Sequence, residues 1–466
     1  MDRKGPPVFF RQVLYRDLGC ASYLLGDGGE AVVVDPRWDI DVYLEIAAAE
    51  QLRITDVIDT HEHADHVSGR ARLLAATGAR GHRPLRPGAP AAADTIAAGD
   101  TLELGTLRLT ALGTPGHRPE HLAFTVADLS RSADPWLLLT GDSLLVGDVA
   151  RPDLAYEPDE GARALHATLA RLLAELGDGV EVWPAHVGGS LCGGAGLSHK
   201  TSSTIGYERR ANPPLALAAE RFVEQVTRSL PCRPPNIDRI VSLNCAVRPA
   251  FPAEPERLAD AALAALLRDG VAVLDSRSPD AFDAGHLAGA VNLPVASAGL
   301  GTRAGWALDP GSPLVVVAGD ETARRATVSA LEAVGFWTLA GAALADVEGW
   351  RAAGLPVATS GAWDVDRLAG HLRAGAVDLI DVRELPEWLA GHVPGSHHVP
   401  LNRVGDVGSV LTGPAPRPTA VACAAGVRAA FAASLLRRSG RDEVVRVAGG
   451  GIGDLASRGI ALAVGP

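Results

Sequence analysis

Apolar and polar positions alternate in short runs through the first part of the chain, and these runs read as strands. Phe9 to Leu14 and Ala21 to Leu25 alternate. Ala31 to Val34 is continuously apolar, the pattern of a strand buried on both faces. Asp41 to Ala49 has helical periodicity. Ile54 to Thr60 predicts a strand that runs directly into His61. Ser68 is placed to cap a helix from Arg70 to Ala76. Leu102, Leu104, Leu107, Leu109 and Ala111 alternate around Gly105, which predicts a hairpin. Trp136 to Thr140 and Glu181 to Ala185 predict two more strands, ending at Gly141-Asp142 and at His186.

Prolines 231, 234, 235, 249, 252 and 255 mark a boundary region, and beyond it the chain repeats itself. Leu274-Asp275-Ser276-Arg277 returns as Ile380-Asp381-Val382-Arg383. Phe282-Asp283-Ala284-Gly285-His286 returns as Trp388-Leu389-Ala390-Gly391-His392. The offset of 106 residues holds through Pro294 and Pro400. Each unit alternates short apolar strands with helical stretches, so each is expected to be a small α/β domain with a parallel sheet.

The chemistry collects at strand ends. Thr60-His61-Glu62-His63-Ala64-Asp65-His66 places four metal-ligating side chains within six residues. His117 follows the tight Pro115-Gly116 turn, and Asp142 and His186 each stand just past a strand. All of them therefore fall on one edge of a sheet structure, where a rigid scaffold positions the loops that carry chemistry. Imidazole and carboxylate together suit zinc, iron or manganese. Ligand counting alone leaves one metal or two open.

Composition narrows the classes. The 466 residues are 47% hydrophobic and 21% charged, as in an ordinary globular protein with two to four domains. A net charge of −12 argues against nucleic acid or an anionic membrane as partner. The N-terminus lacks the apolar core of a signal peptide, and no apolar run approaches spanning length. Five scattered cysteines argue against a disulfide framework and for a reducing cytoplasm, where a working cysteine acts as a thiol.

The ligand order His-x-His-x-Asp-His, His, Asp, His resembles the metallo-β-lactamase fold. Gly141-Asp142-Ser143 through Arg151-Pro152-Asp153-Leu154, Cys192-Gly193, and Ser202-Ser203-Thr204-Ile205-Gly206-Tyr207-Glu208 narrow the resemblance to persulfide dioxygenases. That resemblance implies one Fe(II) per chain, held by His61, His117 and Asp142 as a two-histidine, one-carboxylate facial triad. His63, Asp65, His66 and His186 would then support the ligands through hydrogen bonds. The residues also fit a rival: a glyoxalase II-like thioester hydrolase would place His61, His63 and His117 on one metal. Asp65, His66 and His186 would hold the other, with Asp142 bridging.

The two repeats resemble rhodanese domains. In the second, Cys423-Ala424-Ala425-Gly426-Val427-Arg428 follows the strand Ala420-Val421-Ala422 and precedes a helix from Ala429 to Leu436. Backbone N–H groups and a helix N-terminus there favour a thiolate, so Cys423 is the expected sulfur-carrying nucleophile. Arg428 is expected to shape the loop or bind an anionic donor. In the first repeat Gly319 stands at the cysteine position, and Asp320 and Glu321 oppose an anionic persulfide. That unit is expected to be non-catalytic.

The fold expectation is therefore a multidomain α/β chain. An αββα metallo-β-lactamase sandwich over 1–245 precedes two rhodanese-like α/β domains with parallel sheets, over 246–360 and 361–466. The resemblance implies dioxygenation of a low-molecular-weight thiol persulfide (of glutathione, coenzyme A or a similar thiol) by O₂ to sulfite. Sulfur transfer among persulfide, sulfite and thiosulfate would follow, in a cytoplasmic dimer or tetramer that detoxifies sulfide. A sulfur-carrier or sensor protein is a further alternative. Cys192, in a Gly-rich stretch after His186, is expected to lie exposed near the iron as a sulfur relay. Tyr207, Arg209 and Arg210 are candidates for holding the thiol's carboxylates. Cys20, Cys232 and Cys245 are read as structural.

Overall fold

The structure is a computed structural model, and it describes residues 8–188, 190, 192–194, 196–228, 230, 232–246, 251–406, 417–441 and 443–465. Pro231 and Pro249 of the boundary region, and Gly189 and Leu191 beside Cys192, lie outside these residues. The chain divides into two compact units. Residues 1–233 and 237–250 form the first, and 234–236 with 251–466 form the second.

In the first unit, six strands form one sheet in chain order: β1 (Phe9–Tyr15), β2 (Cys20–Asp27), β3 (Glu30–Val34), β4 (Arg53–Ile58), β5 (Arg80–Pro84) and β6 (Thr95–Ile96). The second sheet holds β7 (Thr101–Leu104), β8 (Leu107–Gly113), β9 (Leu122–Asp128) and β10 (Leu137–Gly141). After the short hairpin β11 (Leu144–Leu145) and β12 (Asp148–Val149), it is completed by β13 (Glu181–Pro184) and β14 (Ser203–Thr204), in the order β14-β13-β10-β9-β8-β7.

The side-chain period of two explains the layering. Tyr23, Leu25, Val32, Val34 and Ile58 of the first sheet meet Leu107, Leu109, Phe124, Val126, Leu137 and Leu139 of the second in one core. Their neighbours Leu24, Val33 and Val57 point the other way, onto α1 (Asp41–Ala49) and α2 (Arg70–Thr77) through Tyr43, Ala47 and Leu73. Ala123, Leu138 and Val182 face α3 (Pro158–Glu175), whose Leu165, Leu169 and Leu172 recur at helical spacing. This is the αββα sandwich, with β2, β3 and β10 buried almost throughout on both faces. The hairpin at Gly105 pairs Leu104 with Leu107 as its pattern predicts. Ser68 does not cap α2. Gly69 holds the cap position, while the Ser68 hydroxyl donates to Asp59 Oδ1 (2.7 Å) and accepts from Arg70 N (3.0 Å).

The second unit contains two parallel sheets. The first, of four strands, brings 272–275, 291–292, 314–318 and 339–344 together; the second, of five, brings 361–363, 444–447, 419–422, 378–381 and 397–398 together. The repeat is structural down to single contacts. Arg277 binds Asp275 and the Gly285 carbonyl (2.8 Å), as Arg383 binds Asp381 and the Gly391 carbonyl (2.7 Å). His286 stacks on Phe282 and His392 on Trp388. The repeats pack against each other: buried Arg446 pairs with Asp283 (2.6 Å) and with Asp280, and Asn292 N donates to Ser434 Oγ (2.9 Å). Among the described residues no helix is long and apolar enough to cross a membrane.

Candidate metal centre

β4 ends at Ile58, and the chain turns through Asp59-Thr60 into His61. Asp35, just past β3 and at φ 53°, accepts hydrogen bonds from Thr60 N (2.7 Å) and Thr60 Oγ1 (2.9 Å). With its own proton spent on Asp35, the Thr60 hydroxyl accepts from His61 Nδ1 (2.9 Å). That fixes the His61 tautomer and leaves the Nε2 lone pair facing inward. His117 is set the same way: Nδ1 donates to the Arg151 carbonyl at 2.8 Å, leaving Nε2 free.

His61 Nε2 and His117 Nε2 lie 3.8 and 3.4 Å from Asp142 Oδ2. None of these three atoms has a hydrogen-bond partner, and all three side chains are essentially inaccessible. Three buried polar atoms aimed at one another would cost several kcal/mol if nothing joined them, about 1–3 kcal/mol each. A bound cation removes that cost, so the residues fit a metal ion. Burial pushes the His61 imidazole well below its usual pKa, helped by the neighbouring histidines, and it pushes His117 down as well. Both are thus neutral, as ligands must be. Burial works against the Asp142 carboxylate, yet the adjacent His186 holds its pKa below the usual range.

The remaining predicted residues do different things. His63 Nε2 donates to Asp35 Oδ1 (3.1 Å), and its Nδ1 has no partner. His66 Nδ1 donates to Asp65 Oδ1 (3.1 Å), and its Nε2 has none. His186 spans two carboxylates, Asp142 Oδ1 at 2.6 Å and Asp65 Oδ2 at 2.9 Å. Cys192 lies within 4.8 Å of the ligand atoms of Asp142 and His186, but it is 3% exposed, not open to solvent. Arg151 N donates to its carbonyl (2.9 Å), and Gly193 bridges to Ala150, so the Gly-rich stretch is tied down over the thiol. Burial pushes the Cys192 thiol up to about 12. Tyr207, Arg209 and Arg210 sit on α4 (Ile205–Ala211) and are engaged away from the triad. Tyr207 is half exposed beneath Lys200, Arg209 binds Asp178 and the Leu173 carbonyl (2.5 Å) at the end of α3, and Arg210 reaches Asp178 (3.4 Å).

Several supports were not foreseen. His121 Nε2 accepts from Asp142 N (2.7 Å), and its Nδ1 donates to Thr114 Oγ1 (2.7 Å). Gly141, at φ +52°, lies so close that a Cβ would meet His121 Nε2 at 2.5 Å. Asn244, on α5 (Ile237–Cys245), donates to the carbonyls of His63 (2.8 Å) and His66 (2.9 Å) and accepts from Ser68 N (2.8 Å). Cys20 contacts Asp65, His66 and His186. A mainly apolar cavity of about 250 Å³ is lined by Gly147 to Arg151, Gly193, Pro213 and Val226; Arg151, whose carbonyl holds His117, is shared with the centre's surroundings.

In the second unit, Cys423 ends the strand 419–422. Gly426 N donates to its Sγ at 3.0 Å, at the start of the helix 427–438, and the thiol is 2% exposed. Arg428 is held by both carboxylate oxygens of Glu387 (2.6 and 2.7 Å), so it braces the loop against the helix 385–390. In the sister repeat, Asp320 caps the helix 321–332 by accepting from Ala323 N (2.8 Å), and Arg324 is paired with Glu321 and Glu254.

Comparison with known proteins agrees with this fold. Residues 15–186 match the metallo-beta-lactamase superfamily, and residues 259–353 and 364–455 each match the rhodanese-like domain. The mouse protein "Persulfide dioxygenase ETHE1, mitochondrial" is 30% identical over 52% of this chain and 89% of its own length. A hydroxyacylglutathione hydrolase of Anaeromyxobacter dehalogenans is 33% identical over 45% of this chain and 87% of its own. The crystal structure of a metallo-beta-lactamase from Staphylococcus aureus superposes on 72% of this chain and 98% of its own, with a TM-score of 0.63 and 27% identity. The chain belongs to the metallo-β-lactamase superfamily, as a persulfide dioxygenase-like domain followed by two rhodanese-like domains.

Proposed function

We propose that the first unit is a non-haem iron persulfide dioxygenase and that Cys423 carries a coupled sulfurtransferase activity. The observation that supports it most is the convergence of His61 Nε2, His117 Nε2 and Asp142 Oδ2, three buried atoms with no other partner. Two imidazoles and one carboxylate on one face would hold Fe(II) and leave positions for other ligands. The iron, one per chain, would supply O₂ activation when bound.

The chain's own groups have defined parts in this reading. Thr60 and the Arg151 carbonyl orient the two imidazoles, and His186 holds the outer oxygen of Asp142. The mainly apolar cavity beside Arg151 would take the carbon skeleton of a low-molecular-weight thiol persulfide. Persulfide, O₂ and water would yield thiol, sulfite and two protons. At Cys423 the thiolate would take the outer sulfur of a second persulfide, releasing thiol, and pass it to sulfite as thiosulfate. The Gly426 N–H stabilises the sulfur anion.

Iron content and O₂ uptake test the reading together. About one iron per chain, with O₂ consumed in proportion to added glutathione persulfide, supports it, and His61→Ala should abolish both. Two metals per chain with no uptake would sink it. That second outcome belongs to a binuclear thioester hydrolase. The unpartnered His63 Nδ1 and His66 Nε2 favour that reading, as does the hydrolase relative.

A further inference from the structure

In a binuclear hydrolase-like centre Asp65, His66 and His186 would gather a second metal, and here a cysteine from a different part of the chain stands against them, grouped with Asp65 and His186. Cys20 Sγ lies 3.1 Å from Asp65 Oδ2, 3.4 Å from His186 Nε2 and 3.9 Å from His66 Nδ1. Backbone pairing puts it there. Cys20 bridges to His186, Ala21 N donates to the Ala185 carbonyl (2.6 Å), and Val187 N donates to the Gly19 carbonyl (2.8 Å). The start of β2 is thus zipped to the loop that follows β13, which fixes the Cys20 backbone beside these side chains. Gly19 allows the approach: a Cβ there would meet Ser190 N at 2.8 Å.

The two halves of the centre differ in how their polar atoms are spent. His61, His117 and Asp142 aim unpartnered atoms at one another. Around Cys20 the atoms consume each other: Asp65 Oδ2 accepts from Cys20 and His186, and Asp65 Oδ1 accepts from His66. His186 has both nitrogens committed, to Asp65 and Asp142. On this side His66 Nε2, on a side chain 2% exposed, remains unpartnered, and so does His63 Nδ1, 4.0 Å from Asp65 Oδ1. A zinc-sized ion bonded to Asp65 and His186 at about 2.0–2.2 Å would fall within the van der Waals reach of the Cys20 sulfur. Sulfur and ion cannot both be there unless the sulfur is itself a ligand, and that would break the hydrogen bond it donates to Asp65.

We propose that Cys20 holds this centre to one metal ion by filling, with its thiol, the place where Asp65, His66 and His186 would gather a second. This rests on the mononuclear reading above. Cys20 is a positioning residue here: it sets the number of metals without touching the first.

The test is cobalt(II) titration of the metal-free full-length chain, in wild type, Cys20→Ala and Cys20→Val. Wild type and Cys20→Val, both with the place filled, should bind one cobalt per chain. Cys20→Ala should bind a second at least tenfold more tightly than wild type does. One cobalt in all three proteins would overturn the role of Cys20 and leave the mononuclear reading standing. Two in all three would overturn both. Two in wild type, with a sulfur-to-cobalt absorption band that Cys20→Val removes, would make Cys20 a ligand and end the proposal. That comparison decides the matter even if the alanine variant does not fold.

Discussion

His121 receives the backbone N–H of Asp142 on its Nε2, at 2.7 Å. The bond fixes the peptide immediately before the carboxylate, so the aim of Oδ2 depends on a histidine that does not itself reach the metal position. Burial, with His117 nearby, holds His121 down at about 3, so it accepts this bond at any ordinary pH. Replacing it with alanine should weaken metal binding about 10- to 100-fold, the range for outer supports of metal ligands. Chelator competition measures this. Unchanged affinity would mean that Gly141 and β10 suffice to aim the carboxylate.

Asn244 ties together both ends of the ligand loop, through the carbonyls of His63 and His66 and the N–H of Ser68. Asn244→Ala should leave these groups with water as their only recourse, at about 1–3 kcal/mol for each that stays dry. Hydrogen exchange should therefore quicken from Thr60 to Ser68 while the rhodanese-like unit is unaffected. Protection equal to wild type would show that the loop stands without α5.

Acid should act through Asp56, which ends no ligand chain but anchors β4 to β5. Burial alone would raise its pKa; the hydrogen bonds from His82 (2.7 Å) and Arg80 (2.9 Å) outweigh this and bring it down from 3.8 to about 2. A carboxylate with a depressed folded pKa stabilises above its unfolded value, and that stability is lost as pH falls through the folded one. The contribution is about 1 kcal/mol once solvent around the exposed Arg80 is allowed for. Asp56→Asn should lower the melting temperature above pH 4 and converge on wild type near pH 2. Parallel curves would refute this.

Gly451 lies against the sulfur-carrying loop: a Cβ there would meet the carbonyl oxygens of Cys423 at 2.1 Å and Ala424 at 2.3 Å. Gly451→Ala must displace that loop. Sulfur transfer from persulfide to sulfite should fall at least tenfold, as Cys423→Ser should abolish it, while O₂ uptake by the other unit continues. Full transfer activity in the alanine variant would show that the loop has slack enough to absorb the added methyl group.

What could be read ahead of the structure was whatever is written locally. Strand-end placement announced His61, His117, Asp142 and His186, and the offset of 106 residues announced the paired α/β units. What escaped was whatever depends on one segment meeting another. Asn244 reaches His66 across 178 residues, and Cys20 meets His186 only through strand register. His121 stood in view beside His117, but spacing does not tell a ligand from its support. The Gly-rich stretch around Cys192 suggested exposure by composition, whereas backbone bonds to Ala150 and Arg151 close it.

The cysteine-less repeat has a fate written in its first helical turn. In its sister, the positive end of a helix faces the Cys423 thiol, with Gly426 N donating to its Sγ. In this one the Asp320 side chain occupies the corresponding pole as a covalently attached cap, accepting from Ala323 N. A passenger seat has become part of the frame. Restoring a thiol at Gly319 would therefore not by itself restore a carrier, because the anion already seated at Asp320 would have to leave first.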